Sequence, residues 1–248
     1  MFNQLTQNDI NILVEGELGI NSLKFIDIVN NIGNNKKLVD IGVETGKSSK
    51  ILLNNAIEKN NIVYGIDPIP AMGQDILDNP NYKYIPEDSV KIGSEWKNGN
   101  VDIIFFDSVH IKPQVMRELY YWWDLLNVGG WAIFHDTNWS WLDSNGNRQY
   151  YIHKSTHPCA GKKAGNRAMG CDTYIGRNWE TPDYAIKEFF NIPLLNFEND
   201  IISCVNGPES LGMTFIHKKQ NYDYKNNIKS EFWDMYERDR QSVLKCFT

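Results

Sequence analysis

Two predicted strands are each followed by a pair of side chains that could move a proton or bind a cation. Asp107 and His110 follow one apolar run, and His135 and Asp136 follow the next one along the chain. We expect these pairs to meet, because ligands of open α/β sheets bind where the strands end. Carboxylates can hold a divalent cation such as Mg²⁺, and an imidazole oriented by a carboxylate can act as a general base. The residue types leave both chemistries open, beside a purely structural role in capping the strands.

A turn with two glycines lies earlier in the chain, between a predicted strand and a predicted helix. It runs from Asp40 to Ser48, and Gly42 and Gly46 let its backbone approach a ligand closely. The G-x-x-x-G spacing differs from the G-x-G-x-x-G of dinucleotide sites, and the Gly-Lys-Ser ending lacks the first glycine of a P-loop, although a site for another nucleotide stays the alternative. Asp67 closes the following strand, where an acid either accepts both hydroxyls of an adenosine ribose or only begins a turn.

The elements that would position these residues alternate between buried strands and helices. Near-continuous apolar strands separated by helices indicate a parallel sheet that is covered on both faces. We therefore predict an α/β fold with a Rossmann-like, doubly wound, mostly parallel seven-stranded sheet and helices on both faces. The strands are expected at 37–41, 61–66, 81–85, 101–106, 131–134, 201–205 and 213–217. The helices are expected at 48–57, 112–126, 184–190 and 226–246.

Composition and charge narrow the class of protein. The 248 residues, 42% of them hydrophobic, suffice for a single large domain over 1–248. The formal net charge of -6 disfavours nucleic acid or an anionic membrane as the main partner. No apolar run approaches the roughly 20 residues of a membrane span, no secretory signal is recognisable, and the four cysteines form no disulfide framework. We expect a cytoplasmic protein.

Taken in order, these motifs resemble the class I S-adenosylmethionine-dependent methyltransferases. The matching segments are 40–46, Asp67, Asp88-Ser89, 107–110, 125–130 and Phe134-His135-Asp136. The most similar branch comprises the small-molecule O-methyltransferases, which include sugar and macrolide O-methyltransferases and cephalosporin-hydroxylase-like proteins. The chain departs from that branch at Val128, which replaces a proline, and at His135, where several metal-using relatives carry a carboxylate.

The resemblance implies S-adenosylmethionine as the cofactor and divides the residues into two sites. The implied cofactor residues are Gly42, Glu44, Gly46, Ser48, Asp67, Asp88, Ser89 and Asp107. The implied reaction residues are Asp107, His110, His135 and Asp136, of which Asp107 and Asp136 would hold Mg²⁺. The implied activity is transfer of a methyl group to a hydroxyl of a sugar or another small polyhydroxylated metabolite. The alternatives are a cephalosporin-hydroxylase-like metal-assisted enzyme and a non-catalytic protein that retains the cofactor pocket.

Two further segments carry separate expectations. Residues 137–180 are predicted to form an insertion and a lid over the substrate, because long irregular segments are usually functional. Four soft ligands there could bind zinc, although a polar lid is the simpler interpretation; they are His153, His157, Cys159 and Cys171. The helix at 226–246 is expected to pack on the domain or on a second subunit, which leaves a homo-oligomer open.

Overall fold

A computed structural model of the chain describes residues 4–16, 18–69, 71–137, 140–142, 148–150, 182–207 and 212–244. The strands are β1 (Lys37–Ile41), β2 (Ile62–Ile66), β3 (Tyr82–Ile85), β4 (Val101–Phe106), β5 (Leu126–His135), β6 (Ser140–Leu142), β7 (Arg148–Tyr150), β8 (Phe197–Glu198), β9 (Ile202–Asn206) and β10 (Met213–Lys218). The helices are α1 (Gln7–Glu15), α2 (Asn21–Asn31), α3 (Lys47–Leu52), α4 (Ala56–Lys59), α5 (Gln74–Leu77), α6 (Ser89–Glu95), α7 (Lys112–Trp122), α8 (Pro182–Phe190) and α9 (Ser230–Leu244), with a 3₁₀-helix at Tyr224–Asn227.

The central sheet has the strand order β3-β2-β1-β4-β5-β10-β9-β8. The first five strands in that order are parallel, whereas β10 runs antiparallel to both β5 and β9. The predicted Rossmann-like, mostly parallel sheet is therefore confirmed. The predicted count of seven strands needs one correction, because the two-residue strand β8 adds an eighth, antiparallel to β9. A strand this short leaves no hydrophobic periodicity in the sequence.

The sheet carries an apolar cluster on each face, because successive side chains of a strand point to opposite sides. On β4, Ile104 and Phe106 belong to one cluster, and Ile103 and Phe105 belong to the other. Helices α7, α8 and α9 cover the first face, and α1, α2 and α3 cover the second, where Phe25 stacks on Phe105 at 4.9 Å. All six residues of β4 are buried, as a strand covered on both faces requires.

Several element boundaries differ from the prediction. The helix expected at 48–57 is two helices, α3 and α4, and Asn55 between them has a positive φ of 60°. The strand expected at 131–134 begins earlier, at Leu126, and passes through Gly129 in a left-handed conformation. Its register with β4 shifts between Val101 and Ile103, so the glycine creates an irregularity within the strand instead of ending the preceding helix.

The carboxyl-terminal segment packs on the domain of its own chain. In α9, Glu237 accepts a hydrogen bond from Nε of Arg117 in α7 at 2.9 Å, and Trp233 contacts Tyr120. The predicted helix at 226–246 is a 3₁₀-helix followed by α9, which begins at Ser230. Among the described helices, none has the length and apolar character needed to cross a membrane.

Most of the predicted insertion at 137–180 lies outside the described residues. Thr137 and the two-stranded sheet of β6 and β7 are the described parts. The candidate zinc ligands His153, His157, Cys159 and Cys171 also fall outside the described residues.

Candidate active site

The turn between β1 and α3 brings backbone groups to the carboxyl edge of the sheet. Gly42 and Gly46 have φ values of 80° and 83°, a conformation that favours glycine. Asp67, at the end of β2, accepts hydrogen bonds from the backbone N–H groups of Glu44 at 3.1 Å and Ile69 at 2.8 Å. Each carboxylate oxygen has two lone pairs, so Asp67 retains acceptor capacity for the hydroxyls of a ligand.

Gly42 also lies in close contact with the backbone of Asp107. The backbone N–H of Asp107 donates to the carbonyl oxygen of Ile41 at 2.8 Å, which joins the ends of β1 and β4. A Cβ atom added to Gly42 would lie 2.2 Å from the carbonyl oxygen of Asp107, so a side chain has no room there. The glycine turn and the residues that follow β4 are therefore in direct contact.

The substitution Gly42→Ala is expected to destabilise the protein by about 3 kcal/mol or more, since it combines a left-handed φ with a backbone clash. Gly129→Ala is the matched control: Gly129 has a similar φ, 83° against 80° at Gly42, but nothing lies within 4 Å of its added Cβ. Gly129→Ala should lower the free energy of unfolding by only about 1 kcal/mol, the cost of a side chain at this backbone conformation. Chemical denaturation of both variants measures the difference. Equal losses of stability would contradict the close approach at Gly42.

Asp40 and Ser48 form a buried network behind the turn. Asp40 accepts hydrogen bonds from Ser48 at 2.9 Å and from Ser49 at 2.5 Å, and Ser49 also contacts Tyr82. Burial raises the pKa of Asp40 to about 7, against the lowering effect of the two serine hydroxyls. Ser48 is predicted from the sequence to be a cofactor residue, but the structure buries it and directs its hydroxyl to Asp40.

Asp88 and Ser89, two of the predicted cofactor residues, both have partners within the protein. Asp88 is the N-cap of α6, accepting from the backbone N–H of Lys91 at 3.0 Å, and its other oxygen accepts from Nη1 of Arg240 at 2.9 Å. Arg240 is a buried residue of α9, so the carboxyl-terminal helix reaches the predicted cofactor side of the site. Ser89 is buried and donates its hydroxyl hydrogen to Glu118 at 2.5 Å.

Glu118 of α7 is a site residue that the sequence reasoning missed. Its Oε1 accepts hydrogen bonds from Ser89 at 2.5 Å, Ser108 at 2.6 Å and Gln114 at 2.8 Å. Burial raises the pKa of this fully buried carboxyl group, and the three hydrogen bonds act in the opposite direction. Glu118 also lines a small cavity beside His110. The available signal was an acid at an apolar position of a helical pattern, which a residue-type search for strand-end chemistry does not examine.

The four predicted reaction residues lie together. Nε2 of His110 is 2.8 Å from Oδ1 of Asp107, and Nδ1 of the same ring is 3.0 Å from Oδ2 of Asp136. Nδ1 of His135 is 3.0 Å from Oδ1 of Asp107 and 3.4 Å from Oδ1 of Asp136. Both imidazoles therefore lie against the same two carboxyl groups. We call these four residues the acid–histidine cluster.

The carboxyl groups of the acid–histidine cluster set the protonation of its imidazoles. Burial would lower the pKa of His110, but Asp136 and Asp107 outweigh it and raise that pKa well above its ordinary value. Burial likewise opposes a rise at His135, where Asp107 and Asp136 raise the pKa to about 9. The two carboxyl groups therefore favour the protonated form of both rings.

The same geometry suits a metal ion. One ligand atom from each cluster residue lies within 4.8 Å of the other three. An ion about 2.1 Å from its ligands separates neighbouring ligand atoms by about 3 Å and opposite ones by about 4.2 Å. The nitrogen–oxygen separations of 2.8–3.4 Å agree with the first value. With small side-chain movements the cluster can therefore hold a cation, and without one it can hold or transfer a proton.

The strand order, the glycine turn after β1, the acid after β2 and the polar residues after β4 and β5 agree with the class I S-adenosylmethionine-dependent methyltransferase class that the sequence predicts. Residues 39–137 match the family model described as a methyltransferase domain. The matched segment contains the glycine turn, Asp67 and the whole acid–histidine cluster.

Solved structures share the fold at low sequence identity. A putative rRNA methylase from Clostridium thermocellum is 12% identical, with a TM-score of 0.51, over 84% of this chain and 98% of that chain. Cofactor-bound Rv0187 from MTB is 10% identical, with a TM-score of 0.51, over 86% of this chain and 88% of that chain. MycE methyltransferase from the mycinamycin biosynthetic pathway, in complex with Mg, SAH and mycinamycin VI, is 15% identical, with a TM-score of 0.45, over 85% of this chain and 52% of that chain. No curated protein matches the chain.

Proposed function

We propose that this protein transfers a methyl group from S-adenosylmethionine to a hydroxyl of a sugar or another small polyhydroxylated metabolite. The observation that carries the proposal is the direct contact between the glycine turn and Asp107, with only 2.2 Å from an added Gly42 Cβ to the Asp107 carbonyl oxygen. A cofactor held at the turn would present its reactive group to an acceptor held at the acid–histidine cluster. Methyl transfer needs this adjacency, because the two reactants must meet in line.

The residues around the turn fit the cofactor. When bound, S-adenosylmethionine supplies a methyl group on a sulfonium, which is already a strong electrophile. Asp67 has lone pairs left for the two ribose hydroxyls. Oδ1 of Asp40, one residue before the end of β1, is buried without a hydrogen-bond partner among the described residues, so this acid retains acceptor capacity behind the turn. The residues around the glycine turn would therefore bind and orient the cofactor.

The acid–histidine cluster fits the acceptor side of the reaction. A neutral hydroxyl is a poor nucleophile until its proton is removed or its oxygen is polarised. Nε2 of His110 lies against Asp107 and Nδ1 against Asp136, so the ring could take up that proton once it has passed one of its own protons to either carboxylate. Asp107 and Asp136 would hold a divalent cation, which lowers the pKa of a bound hydroxyl.

Calorimetric titration of the purified protein with S-adenosylmethionine and S-adenosylhomocysteine tests the cofactor. We expect micromolar binding that Asp67→Ala weakens at least tenfold, because the ribose hydroxyls lose their acceptor. Asp124→Ala is the control, since Asp124 is a half-exposed carboxylate that pairs with Lys225 just beyond the carboxyl end of α7. It should bind like the wild type. A folded protein that binds neither compound would overturn the proposed function.

An activity assay then tests whether the protein methylates a hydroxyl of a sugar or glycoside. We expect formation of S-adenosylhomocysteine with at least one member of a panel of sugars and glycosides. Repeating the assay with a chelator shows whether a cation is needed or whether His110 alone activates the hydroxyl. Metal-dependent turnover without methyl transfer would favour the hydroxylase-like alternative.

A further inference from the structure

We infer that the cation of the acid–histidine cluster is a first-row transition metal ion, represented by Mn²⁺ and Zn²⁺, rather than Mg²⁺. The ligands would be the carboxylates of Asp107 and Asp136 and the Nδ1 atom of His135. This inference rests on the proposed function, since it names the metal of the same site. It departs from the expectation that two aspartates alone hold Mg²⁺.

His135 is placed as a ligand by its surroundings. It is the last residue of β5, is only 6% exposed, and directs Nδ1 toward both carboxyl groups at 3.0 and 3.4 Å. Its ring also packs at 6.3 Å from the ring of Phe105. An ion bound by Asp107 and Asp136 would therefore have a buried imidazole nitrogen in its immediate surroundings.

An imidazole nitrogen changes which ion the site prefers. Mg²⁺ is a hard ion that takes oxygen ligands in near-ideal octahedral geometry and keeps several waters. Imidazole is a favourable ligand for zinc, iron, nickel and copper, and the affinities of mixed nitrogen and oxygen sites rise from manganese to copper and fall again at zinc. With one nitrogen among three protein ligands, the donor chemistry of this cluster fits Mg²⁺ poorly and fits a transition metal ion well.

His110 is not one of the proposed metal ligands but contacts two of them. Its two nitrogens contact Asp107 and Asp136 separately, so it can orient both carboxylates without being a ligand. Partners of this kind fix the orientation of metal-binding side chains and tune their basicity. The position also keeps His110 beside the acceptor, as the proposed function requires.

The test is a calorimetric titration of the chelator-treated full chain with Mn²⁺, Zn²⁺ and Mg²⁺ in turn, without cofactor or acceptor. We expect one ion per chain at the cluster, with Mn²⁺ at least tenfold and Zn²⁺ at least a hundredfold tighter than Mg²⁺. His135→Asp replaces the nitrogen by an oxygen and should reduce both preferences at least tenfold. His135→Gln is a second variant with a neutral oxygen donor, in case His135→Asp fails to fold.

Two control variants test whether the metal binds at the acid–histidine cluster and not at another histidine. His217→Ala should keep the wild-type preference, since His217 stacks on Trp131 and lies outside the cluster. Combined Asp107→Asn and Asp136→Asn substitutions should abolish the cluster's binding of Mn²⁺ and Zn²⁺. Persistence of all binding in that double variant, or wild-type affinity for Mg²⁺ equal to that for Mn²⁺, would overturn the inference.

The outcome is distinguishable from failure of the proposed function. Metal preference is measured without S-adenosylmethionine, and cofactor binding is measured without metal. Cofactor binding with a preference for Mg²⁺ refutes only the metal inference. Selective binding of Mn²⁺ and Zn²⁺ through His135, with no binding of the cofactor, refutes only the methyltransferase proposal.

Discussion

Asp107→Asn is expected to lower the rate of methyl transfer by roughly a thousandfold, within the range that general acid–base residues contribute. Oδ1 of Asp107 faces Nε2 of His110 at 2.8 Å and Nδ1 of His135 at 3.0 Å. The substitution removes the negative charge that both imidazole rings face and also removes one of the proposed metal ligands. The measurement is the initial rate of S-adenosylhomocysteine formation on an acceptor that the wild-type protein methylates.

The same strand provides a matched control for this substitution. Asp102 lies near the opposite end of β4 and accepts hydrogen bonds from Nζ of Lys36 and the backbone N–H of Lys37, each at 3.1 Å. Asp102→Asn should therefore cost stability but leave the rate within about twofold of the wild type, since it is remote from the site. Cofactor affinity should change less than threefold in Asp107→Asn. Loss of cofactor binding in that variant would assign Asp107 to the cofactor site instead of the reaction site.

Asp40→Asn is expected to remove a pH dependence from the stability of the protein. The folded-state pKa of Asp40 is about 7, raised by burial from 3.8, so the folded protein binds this proton more tightly than the unfolded chain. The group therefore stabilises the fold most below pH 3.8, and this contribution is lost as the pH rises through 7. A shift of about three units corresponds to roughly 4 kcal/mol in total, of which about 3 kcal/mol falls between pH 5 and 8.5.

Urea denaturation of the wild type and of Asp40→Asn between pH 5 and 8.5 measures this effect. The difference in unfolding free energy between the two proteins should change by about 3 kcal/mol over that range, in favour of the variant at high pH. Other groups titrate in both proteins, including the histidines of the cluster, so they cancel in the difference. Two curves that stay parallel would show that Asp40 titrates normally in the folded protein.

The central part of the fold could be predicted because local pattern and final structure agree there. Strands such as β4 are apolar except for Asp102 near one end, since a sheet covered on both faces buries their side chains, and the helices between them have their own periodicity. The residues at which the elements begin and end were harder to predict. The pair Gly129-Gly130 indicated a break before the strand, but tertiary pairing with β4 carries β5 through it from Leu126. The helices α1 and α2 were not predicted, although Thr6 and Asp9 form a capping box at the start of α1.

The candidate site also contains residues that the sequence could predict and residues that it could not. Asp107 and Asp136 follow strands whose ends the sequence reveals, so their proximity could be expected from topology alone. The partners of Ser48 and the second partner of Asp88 could not be predicted from position: Ser48 donates to Asp40, and Asp88, which also caps α6, accepts from Arg240, far along the chain. Glu118 was missed for a related reason. Its partners, Ser89 and Ser108, meet it only once α6, β4 and α7 are assembled.

The three hydrogen bonds to Glu118 also connect the two halves of the site. Ser89 is the first residue of α6, on the predicted cofactor side, and Ser108 directly follows Asp107; both donate to the same oxygen. A ligand that displaced either serine would move the acceptor of the other, and occupation of one half would then change the affinity of the second. Thermodynamic linkage makes such an effect reciprocal, so the factor by which a cation alters cofactor affinity equals the factor by which the cofactor alters cation affinity.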